Sequence, residues 1–302
     1  MCHVKIIAWE LLLHEYIKGT VRKMKKRIIL PILTLAIIII TCFSFVSTTN
    51  AATTQVKVKL GNSEIMSGRS LLVDSITYVP IRDFANAMGG TVVGWNGSTN
   101  TATISADGLN LSAGVGKIYI NANDRYLYTI GQIININGSV YVPIRPLARA
   151  FGLDVSWDGN TYTVTLTKNG SGYIKNGSSF YISDEVYWLS RIINAESAGE
   201  PMLGKIAVGN VILNRVADSR YPNTIYNVIF DMKNGVQFTP AATGTVYKAP
   251  TADSVIAAKI ILEGYRIDNE LLFFINPTIA KNTWVSKNRP YVMTIGNHAF
   301  YK

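Results

Sequence analysis

One acidic side chain stands within an otherwise apolar helical stripe in the second half of the sequence. In "RIINAESAGEPMLGKIAVGNVILNRV", residues 191–216, Glu196 falls on the core-facing side of a helix that we expect to follow an N-cap at Ser183 and to end at Gly199. A carboxyl group in apolar surroundings resists ionisation, and a raised pKa suits a general acid at neutral pH. Glu196 is therefore the first candidate for catalysis. The alternative is a structural glutamate satisfied by arginine or backbone groups.

Few other catalytic chemistries fit the composition. Both cysteines and two of the three histidines lie in residues 1–51, which leaves His298 as the one histidine of the remaining chain. A zinc hydrolase needs about three protein ligands, a cysteine peptidase needs a thiol, and the Gly-x-Ser-x-Gly motif of many serine hydrolases is missing. We therefore predict no metal and no cofactor. Carboxylate chemistry remains, which is the chemistry of glycosidic bond cleavage.

The N-terminal segment has the order of a secretory signal. From Met24, a basic start is followed by an apolar run over about 28–46 and by a small-residue site at Ala51. We expect cleavage after Ala51 and export, with residues 1–23 lying upstream of the start. Two alternatives are an uncleaved membrane anchor, since the run is about long enough to span a bilayer, and a lipid anchor on Cys42.

The charge of the exported chain suits an anionic polymer. Residues 1–51 carry seven of the 29 basic and two of the 19 acidic residues, so the rest has a net charge of +5. Mild basicity agrees with a cell wall partner and also with ordinary solubility. We predict no nucleic-acid partner, and a membrane partner only through an uncleaved signal segment.

The first half of the chain contains an internal repeat. "ITYVPIRDFANAMGGTVVGWNGSTNTATIS" from Ile76 aligns with "SVYVPIRPLARAFGLDVSWDGNTYTVTLT" from Ser139. Each copy predicts a strand that ends at proline, a short helix (81–88 or 144–151) and a β-hairpin. We therefore expect an N-terminal α+β repeat domain over residues 53–168.

This pattern resembles the copper amine oxidase N-terminal-like domain of secreted bacterial proteins. The resemblance rests on Tyr-Val-Pro-Ile-Arg followed by a tryptophan and an alternating hairpin, and it spans about residues 55–168. Without histidine or cysteine, this half has no copper ligands of the usual kind. Arg82 and Arg145 either bind a polymer or anchor their own fold, and the second interpretation is the more economical.

A polar, glycine-rich stretch, "KNGSGYIKNGSS", separates the repeats from the second half. It lacks hydrophobic periodicity, so we predict a linker over residues 169–180 and a second domain over 181–302.

Six blocks within about residues 184–302 resemble the cell wall hydrolase family typified by the spore cortex-lytic enzyme SleB. They are "IINAESAGEP", "GKIAVGNVILNRV", "YPNTIYNVIF", "VQFTP", "LLFFINP" and "IGNHAFYK". The resemblance implies a lysozyme-like, mainly helical domain with a small sheet, cleavage of the glycan strands of peptidoglycan, and Glu196 as the catalytic acid. It also implies a lytic transglycosylase mechanism, in which one glutamate acts first as acid and then as base.

The blocks also contain candidate substrate-binding residues. Trp284 either stacks on a sugar or folds back onto the domain, and His298 fits a structural role better than a second catalytic one. The candidates are Ser197, Gln237, Phe238, Asn276, Trp284, His298 and Tyr301. Glu200 is the nearest second acid, and we interpret it as an N-terminal cap or a partner of the helix dipole rather than as a catalytic residue.

These observations predict an exported α+β enzyme that lyses peptidoglycan and is associated with the cell wall or spore cortex, with repeats that hold it to the wall. Two alternatives remain open. The enzyme is a muramidase that uses water, or the second domain binds the wall without catalysis. The sequence favours neither the spore cortex nor the vegetative wall as the substrate.

Overall fold

A computed structural model describes residues 54–233, 235–280 and 283–302 of the protein. The predicted signal segment lies outside these ranges. Within them, no helix combines the length and the apolar character that crossing a membrane requires. The same ranges contain no group of three or more histidine, cysteine, aspartate or glutamate side chains placed to hold a metal ion.

Each repeat folds into the predicted strand and helix. Strands β3 (Ile76–Pro80) and β10 (Ser139–Pro143) both end at proline, which has no N–H to donate to a continuing ladder. The proline is the N-cap of a short helix, α1 (Ile81–Met88) or α2 (Ile144–Ala150). Gly89, at φ 72°, ends α1 in a conformation that favours glycine. The predicted bounds are confirmed for α1, and α2 ends one residue earlier than expected.

The strands of the repeat region, residues 54–168, form two sheets. The other strands are β1 (Thr54–Leu60), β2 (Ser63–Val73), β4 (Val92–Asn96), β5 (Thr101–Ala106), β6 (Leu109–Gly114), β7 (Tyr119–Ala122), β8 (Arg125–Tyr128), β9 (Ile134–Ile136), β11 (Leu153–Asp158) and β12 (Thr163–Lys168). One sheet has the order β11-β12-β1-β2-β3-β10-β9, with β1 and β12 parallel and the other neighbours antiparallel. The other is the antiparallel meander β4-β5-β6-β7-β8. The two repeat hairpins therefore belong to different sheets.

Alternating side chains of these strands build the core of the repeat region. Ile104 on β5 and Leu109 and Leu111 on β6 are buried, while their neighbours along each strand are more exposed. The Phe84 ring of α1 meets the Phe151 ring after α2 edge to face, with centroids 5.2 Å apart. The two copies thus share one core.

The C-terminal region, residues 181–302, is mainly helical with one small sheet. Its helices are α3 (Ser183–Ser197), α4 (Met202–Ala217), α5 (Ile225–Ile229), α6 (Thr239–Thr243), α7 (Ala252–Leu262) and α8 (Trp284–Asn288). Its strands are β13 (Phe273–Ile275), β14 (Tyr291–Ile295) and β15 (His298–Tyr301), with β15 in the centre. The α+β class is confirmed, and the lysozyme-like description stays a prediction.

Helices α3, α4 and α7 meet at a glycine. A Cβ atom on Gly209 of α4 would lie 2.3 Å from Ile261 Cδ1 of α7 and 2.8 Å from Ile193 Cδ1 of α3. Only glycine permits this approach without displacement of a neighbour. At the other end of α3, Ser183 is already helical and Ile182 is the N-cap, without a side-chain cap bond. The expectation that Ser183 caps this helix is therefore wrong.

A buried carboxylate joins the C-terminal region to the repeat region. The side chain of Glu263, directly after α7, is 2% exposed. Arg125 donates to it from Nε at 2.8 Å and from Nη2 at 2.6 Å, and Arg149 Nη2 donates at 2.6 Å. The Tyr181 hydroxyl donates at 2.7 Å. These donors compensate a charge whose burial would otherwise be costly.

The segment between the two regions packs onto the repeat region. Ile174 is buried, and Asn123 Nδ2 donates to its carbonyl oxygen at 2.8 Å. A 3₁₀ turn follows at Gly177–Ser179, and its first N–H donates to the Asn123 carbonyl at 2.8 Å. The predicted linker over 169–180 thus makes specific contacts, and its place as a domain boundary stays a prediction.

Replacement of Glu263 tests this junction. We expect Glu263→Ala to lower the free energy of unfolding by about 3–5 kcal/mol, because it leaves the buried Arg125 without its counter-charge. Chemical denaturation followed by circular dichroism measures the loss. Asp218→Ala is the control, since it breaks an exposed ion pair with Arg220, and it should have a far smaller effect. Equal effects of the two substitutions would contradict the structural role of Glu263.

Candidate active site

Glu196 lies near the C-terminal end of α3, on a helix whose Leu189, Ile192 and Ile193 are fully buried. Its own side chain is half-buried, and burial raises the pKa of the carboxyl group to about 7. No hydrogen bond or ion pair joins this carboxyl group to another residue in the described ranges. Near neutral pH the group is therefore populated in both protonation states, as an acid that later acts as a base requires.

An asparagine fixes α3 just before Glu196. Asn194 Oδ1 accepts from the Thr251 N–H at 3.0 Å and from Ser254 Oγ at 3.2 Å. Both donors lie at the start of α7, where Thr251 is the N-cap. The contact therefore locks the end of α3 to the start of α7, and it limits the freedom of the backbone that carries Glu196.

A buried lysine fixes the chain just after Glu196. Lys205 on α4 is 4% exposed. Its ammonium group donates to the Ala198 carbonyl at 2.9 Å and also to the Glu200 carbonyl. These oxygens belong to the turn between α3 and α4, and carbonyls left free at a helix end favour a cation. Lys205 thus holds the turn that follows Glu196.

Glu200 ties the terminal hairpin to this turn. Its carboxylate accepts from the Asn297 N–H at 2.9 Å and from Asn297 Nδ2 at 3.0 Å. A Cβ on Gly296, at φ +58°, would lie 1.9 Å from Glu200 Oε2, so the hairpin turn fits closely around the carboxylate. Burial acts to raise the pKa of Glu200, but the Asn297 bonds and the charges of His298 and Lys205 outweigh it and hold the pKa below its usual value. Its partner is this turn, rather than the helix end expected from the sequence.

A buried arginine positions Gln237. Arg215 on α4 donates from Nε to the Leu272 carbonyl at 2.8 Å and from Nη1 to Gln237 Oε1 at 3.4 Å. Gln237 Nε2 in turn donates to the Gly235 carbonyl at 3.2 Å. The Arg215 guanidinium also lies 5.2 Å from the centre of the Phe238 ring. The half-buried amide of Gln237 is therefore held in one orientation.

Phe238 and His298 belong to an aromatic group around the small sheet. The Phe238 ring is 2% exposed and lies 6.4 Å from the Phe274 ring, which meets the His298 ring edge-on at 5.3 Å. Phe238, a candidate for substrate binding, therefore packs in the core, because Arg215 and Phe274 cover its ring. Burial lowers the pKa of His298, and its Nδ1 has no hydrogen-bond partner among the described residues.

Ser197 and Tyr301 are also buried. The Ser197 hydroxyl donates to the Ile193 carbonyl, one turn earlier in α3, at 2.5 Å. Tyr301 lies on β15, and its ring meets the Tyr291 ring edge-on at 5.8 Å. Both side chains therefore make contacts within the C-terminal region.

Asn276 and Trp284 are the more accessible candidates. Asn276 follows β13 half-buried, and its Oδ1 accepts from the Thr278 N–H at 3.0 Å to form a turn. Trp284 is 49% exposed at the start of the short helix α8, and the Arg289 guanidinium lies 5.1 Å from its ring. Neither residue makes a hydrogen bond or ion pair with Glu196 in the described ranges.

The sequence analysis missed four buried polar residues of α4, which are Lys205, Asn210, Asn214 and Arg215. Lys205 and Arg215 brace the segments described above, and Asn210 Oδ1 accepts from the Ile267 N–H at 2.8 Å. All four lie in a helix whose other residues are apolar or glycine. The sequence pattern that could have found them is a charged or amide side chain within a helix that is apolar on all faces. Such a side chain is buried only where it has hydrogen-bond partners.

The C-terminal region is similar to known cell wall hydrolases. Residues 199–301 match the cell wall hydrolase family. The cell wall hydrolase CwlJ of Oceanobacillus iheyensis is 31% identical over 107 residues, which cover 33% of this chain and 74% of that protein. The chain belongs to the cell wall hydrolase family. In the repeat region, residues 59–166 match the copper amine oxidase N-terminal domain.

Other cell wall hydrolase relatives are named for spore cortex lysis. The spore cortex-lytic enzyme of Bacillus cereus is 33% identical over 135 residues, 45% of this chain and 49% of that protein. The one from Bacillus subtilis is 31% identical over 120 residues, 40% of this chain and 38% of that protein. The chain thus spans about half the length of these relatives or less. The solved catalytic domain of the germination-specific lytic transglycosylase SleB from Bacillus anthracis is 34% identical, covers 43% of this chain and 100% of its own, and gives a TM-score of 0.37.

The raised pKa of Glu196 predicts a pH-dependent stability difference. Folding lifts the pKa from 4.5 to about 7, so the folded state binds more protons between these values and the wild type loses stability as pH rises through them. Glu196→Gln has no such charge to bury. We therefore expect it to exceed the wild type in unfolding free energy by about 1–3 kcal/mol at pH 8, and the difference should shrink toward pH 4.5. Urea titrations at several pH values measure it, and a pH-independent difference would contradict the burial of the charge.

Proposed function

We propose that this cell wall hydrolase cuts the glycan strands of peptidoglycan as a lytic transglycosylase, with Glu196 as its acid and base. The observation that carries the proposal is the Glu196 carboxyl group. It is half-buried, it has no ion pair within the described ranges, and burial raises its pKa to about 7. A structural glutamate in such a place is normally hydrogen-bonded, so a reactive role explains the exception better.

The reaction needs one carboxyl group in two states. Protonated Glu196 gives its proton to the glycosidic oxygen as the bond from C1 of muramic acid breaks. The resulting carboxylate then takes the proton of the C6 hydroxyl, whose oxygen bonds to C1 and closes an anhydro ring. The glutamate ends protonated, no water is consumed, and a pKa near the working pH serves both proton transfers.

The neighbouring acid is poorly placed to take part. Both carboxylate oxygens of Glu200 accept hydrogen bonds from Asn297, and its side chain is 7% exposed. Glu200 is therefore held against the hairpin turn and is little exposed to a substrate. This arrangement supports a single-glutamate mechanism over the two-carboxylate one of a water-using muramidase.

The remaining candidates have different roles in this proposal. Asn276 and Trp284 are accessible and are proposed to contact the glycan, while Gln237 is held ready by Arg215 for the same purpose. The buried Ser197, Phe238, His298 and Tyr301 would shape the site from beneath.

The substrate and location are proposed from the named relatives. Relatives called spore cortex-lytic enzymes and cell wall hydrolase point to cortex or wall peptidoglycan. Export through the segment from Met24 would bring the protein to either layer. The repeat region is proposed to hold it there and to supply no chemistry.

Glu196→Gln tests the catalytic assignment. The amide keeps the shape of the side chain and removes the proton donor, so we expect lysis of purified peptidoglycan to fall about 10²–10⁴-fold or more with the fold intact. Turbidity of the suspension measures lysis. Mass analysis of wild-type products should find anhydro-muramic ends, one water lighter than reducing ends. Wild-type lysis by the variant would refute the role of Glu196, and reducing ends would refute the transglycosylase step.

Glu200→Gln is the matched control, because it is the same substitution four residues along the chain. We expect it to keep most of the lytic activity and to lose about 0.5–2 kcal/mol of stability, since the amide keeps one acceptor for Asn297 and loses the charge-assisted bond. Activity and urea denaturation are measured on the same preparation. If folded Glu200→Gln is inactive and products carry reducing ends, a two-carboxylate hydrolase takes the place of the transglycosylase.

A further inference from the structure

The two repeats build two pockets that are related by the internal symmetry of the sequence. In the first pocket, Arg82 and Trp95 of one repeat face Ser139 of the other. In the second pocket, Arg145 and Trp157 face Ile76. Each of these residues is 62 or 63 positions from its equivalent, and each pocket is completed by a strand of the opposite repeat. The antiparallel pairing of β3 with β10 therefore generates the two pockets together.

The tryptophans are held alike and remain accessible in both pockets. Trp95 on β4 is 47% exposed and Trp157 on β11 is 39% exposed. Each strand is the edge of its sheet. A Cβ on Gly97 would lie 3.5 Å from Trp95 Nε1, and a Cβ on Gly159 would lie 3.4 Å from Trp157 Nε1, so each indole lies against the glycine of its own turn. Core packing alone does not require such repeated, half-exposed indoles.

The arginines are equally alike and do not serve the fold. Arg82 and Arg145 are exposed, and neither guanidinium makes a hydrogen bond or ion pair with another residue in the described ranges. Asp83, next to Arg82, pairs with Arg69 at 2.7 Å instead. The expectation that Arg82 and Arg145 anchor their own fold is therefore wrong. Each pocket pairs an available guanidinium with an exposed indole.

We propose that these pockets bind the acidic glycan of peptidoglycan at two places, with a sugar ring on each tryptophan and a carboxylate on each arginine. A guanidinium and a carboxylate form paired, charge-assisted hydrogen bonds. An indole offers a rigid apolar face with a polar N–H edge, which suits a ring with apolar and hydroxyl-bearing sides. Peptidoglycan repeats both groups along one strand, as a sugar backbone with carboxylates on its peptide stems. The proposal rests on the wall polymer named under the proposed function.

The second pocket is the larger and is shared between the two regions. Its volume is about 430 Å³ against about 180 Å³ for the first, and Glu263 and Tyr265 of the C-terminal region contribute to its lining. Tyr265 is held there by the Tyr128 ring, with centroids 3.8 Å apart. The second pocket has the larger volume for a disaccharide. We therefore expect substitutions of Arg145 and Trp157 to lower the binding affinity more than substitutions of Arg82 and Trp95.

Binding is tested on the full chain carrying Glu196→Gln. The soluble probe is a disaccharide–peptide fragment of peptidoglycan, used with free carboxylates and with the carboxylates methyl-esterified, in isothermal titration calorimetry. Arg145→Gln should weaken binding of the free acid about tenfold or more, the effect of a lost hydrogen bond to a charged group. Esterification should weaken binding by a similar factor in Arg82→Gln, which keeps the arginine of the second pocket, and should change little in Arg82→Gln combined with Arg145→Gln. Lys175→Gln, which removes an exposed charge outside both pockets, is the control and should bind as the parent does.

Two further variants separate the pockets and the ring contact. Trp157→Leu should weaken the binding of both the free acid and the ester. Arg82→Gln combined with Arg145→Gln should lower the retention of the protein on intact sacculi by more than either substitution alone, because two linked sites reinforce each other. Equal binding by Arg145→Gln and the control, or equal binding of acid and ester, would overturn the proposal. These results are read independently of lysis: cutting by Glu196→Gln would refute the proposed function and leave the binding comparison intact.

Discussion

The close approach of three helices at Gly209 is the constraint on which the C-terminal region depends. A glycine inside a helix costs about 1 kcal/mol relative to alanine, yet a Cβ here would collide with Ile193 of α3 and Ile261 of α7. The glycine therefore lets the side chains of α3 and α7 pack directly onto the backbone of α4. Glu196 lies three residues after Ile193 on α3, so the helix that packs at Gly209 also carries the candidate catalytic carboxyl group, and burial of this group is the cause of its raised pKa.

The carboxyl groups of Glu263 and Glu196 have opposite surroundings in this protein. Glu263 receives donors from Arg125, Arg149 and Tyr181, so its charge is compensated and it joins two regions of the chain. Glu196 receives no such donor within the described ranges. Lys205 donates to backbone carbonyls of the turn that follows Glu196, and burial alone accounts for the raised pKa of Glu196. The difference between the structural carboxyl group and the one proposed to be catalytic is made by where the donors point.

Local pattern was enough to predict much of this fold. Proline and glycine mark the bounds of α1, and strand alternation marks the hairpins, because both signals act within a few residues. Contacts across the sequence were not predictable: Arg125 and Glu263 are 138 residues apart, and nothing in either neighbourhood specifies the other. The apolar stripe located Glu196, but the same reasoning could not tell that Phe238 turns inward, because its covering group, Arg215, comes from a different helix.

The junction at Glu263 changes what wall binding by the repeats would do. On a flexible tether, a binding module raises the local concentration of enzyme near any strand within reach, and the gain falls as the tether lengthens. Here the segment before α3 is hydrogen-bonded to Asn123, and Glu263 is shared by both regions. A strand held by the repeats would therefore meet the C-terminal region at a fixed offset. Binding would then select which bonds along a glycan strand are presented to Glu196, rather than simply increase encounters.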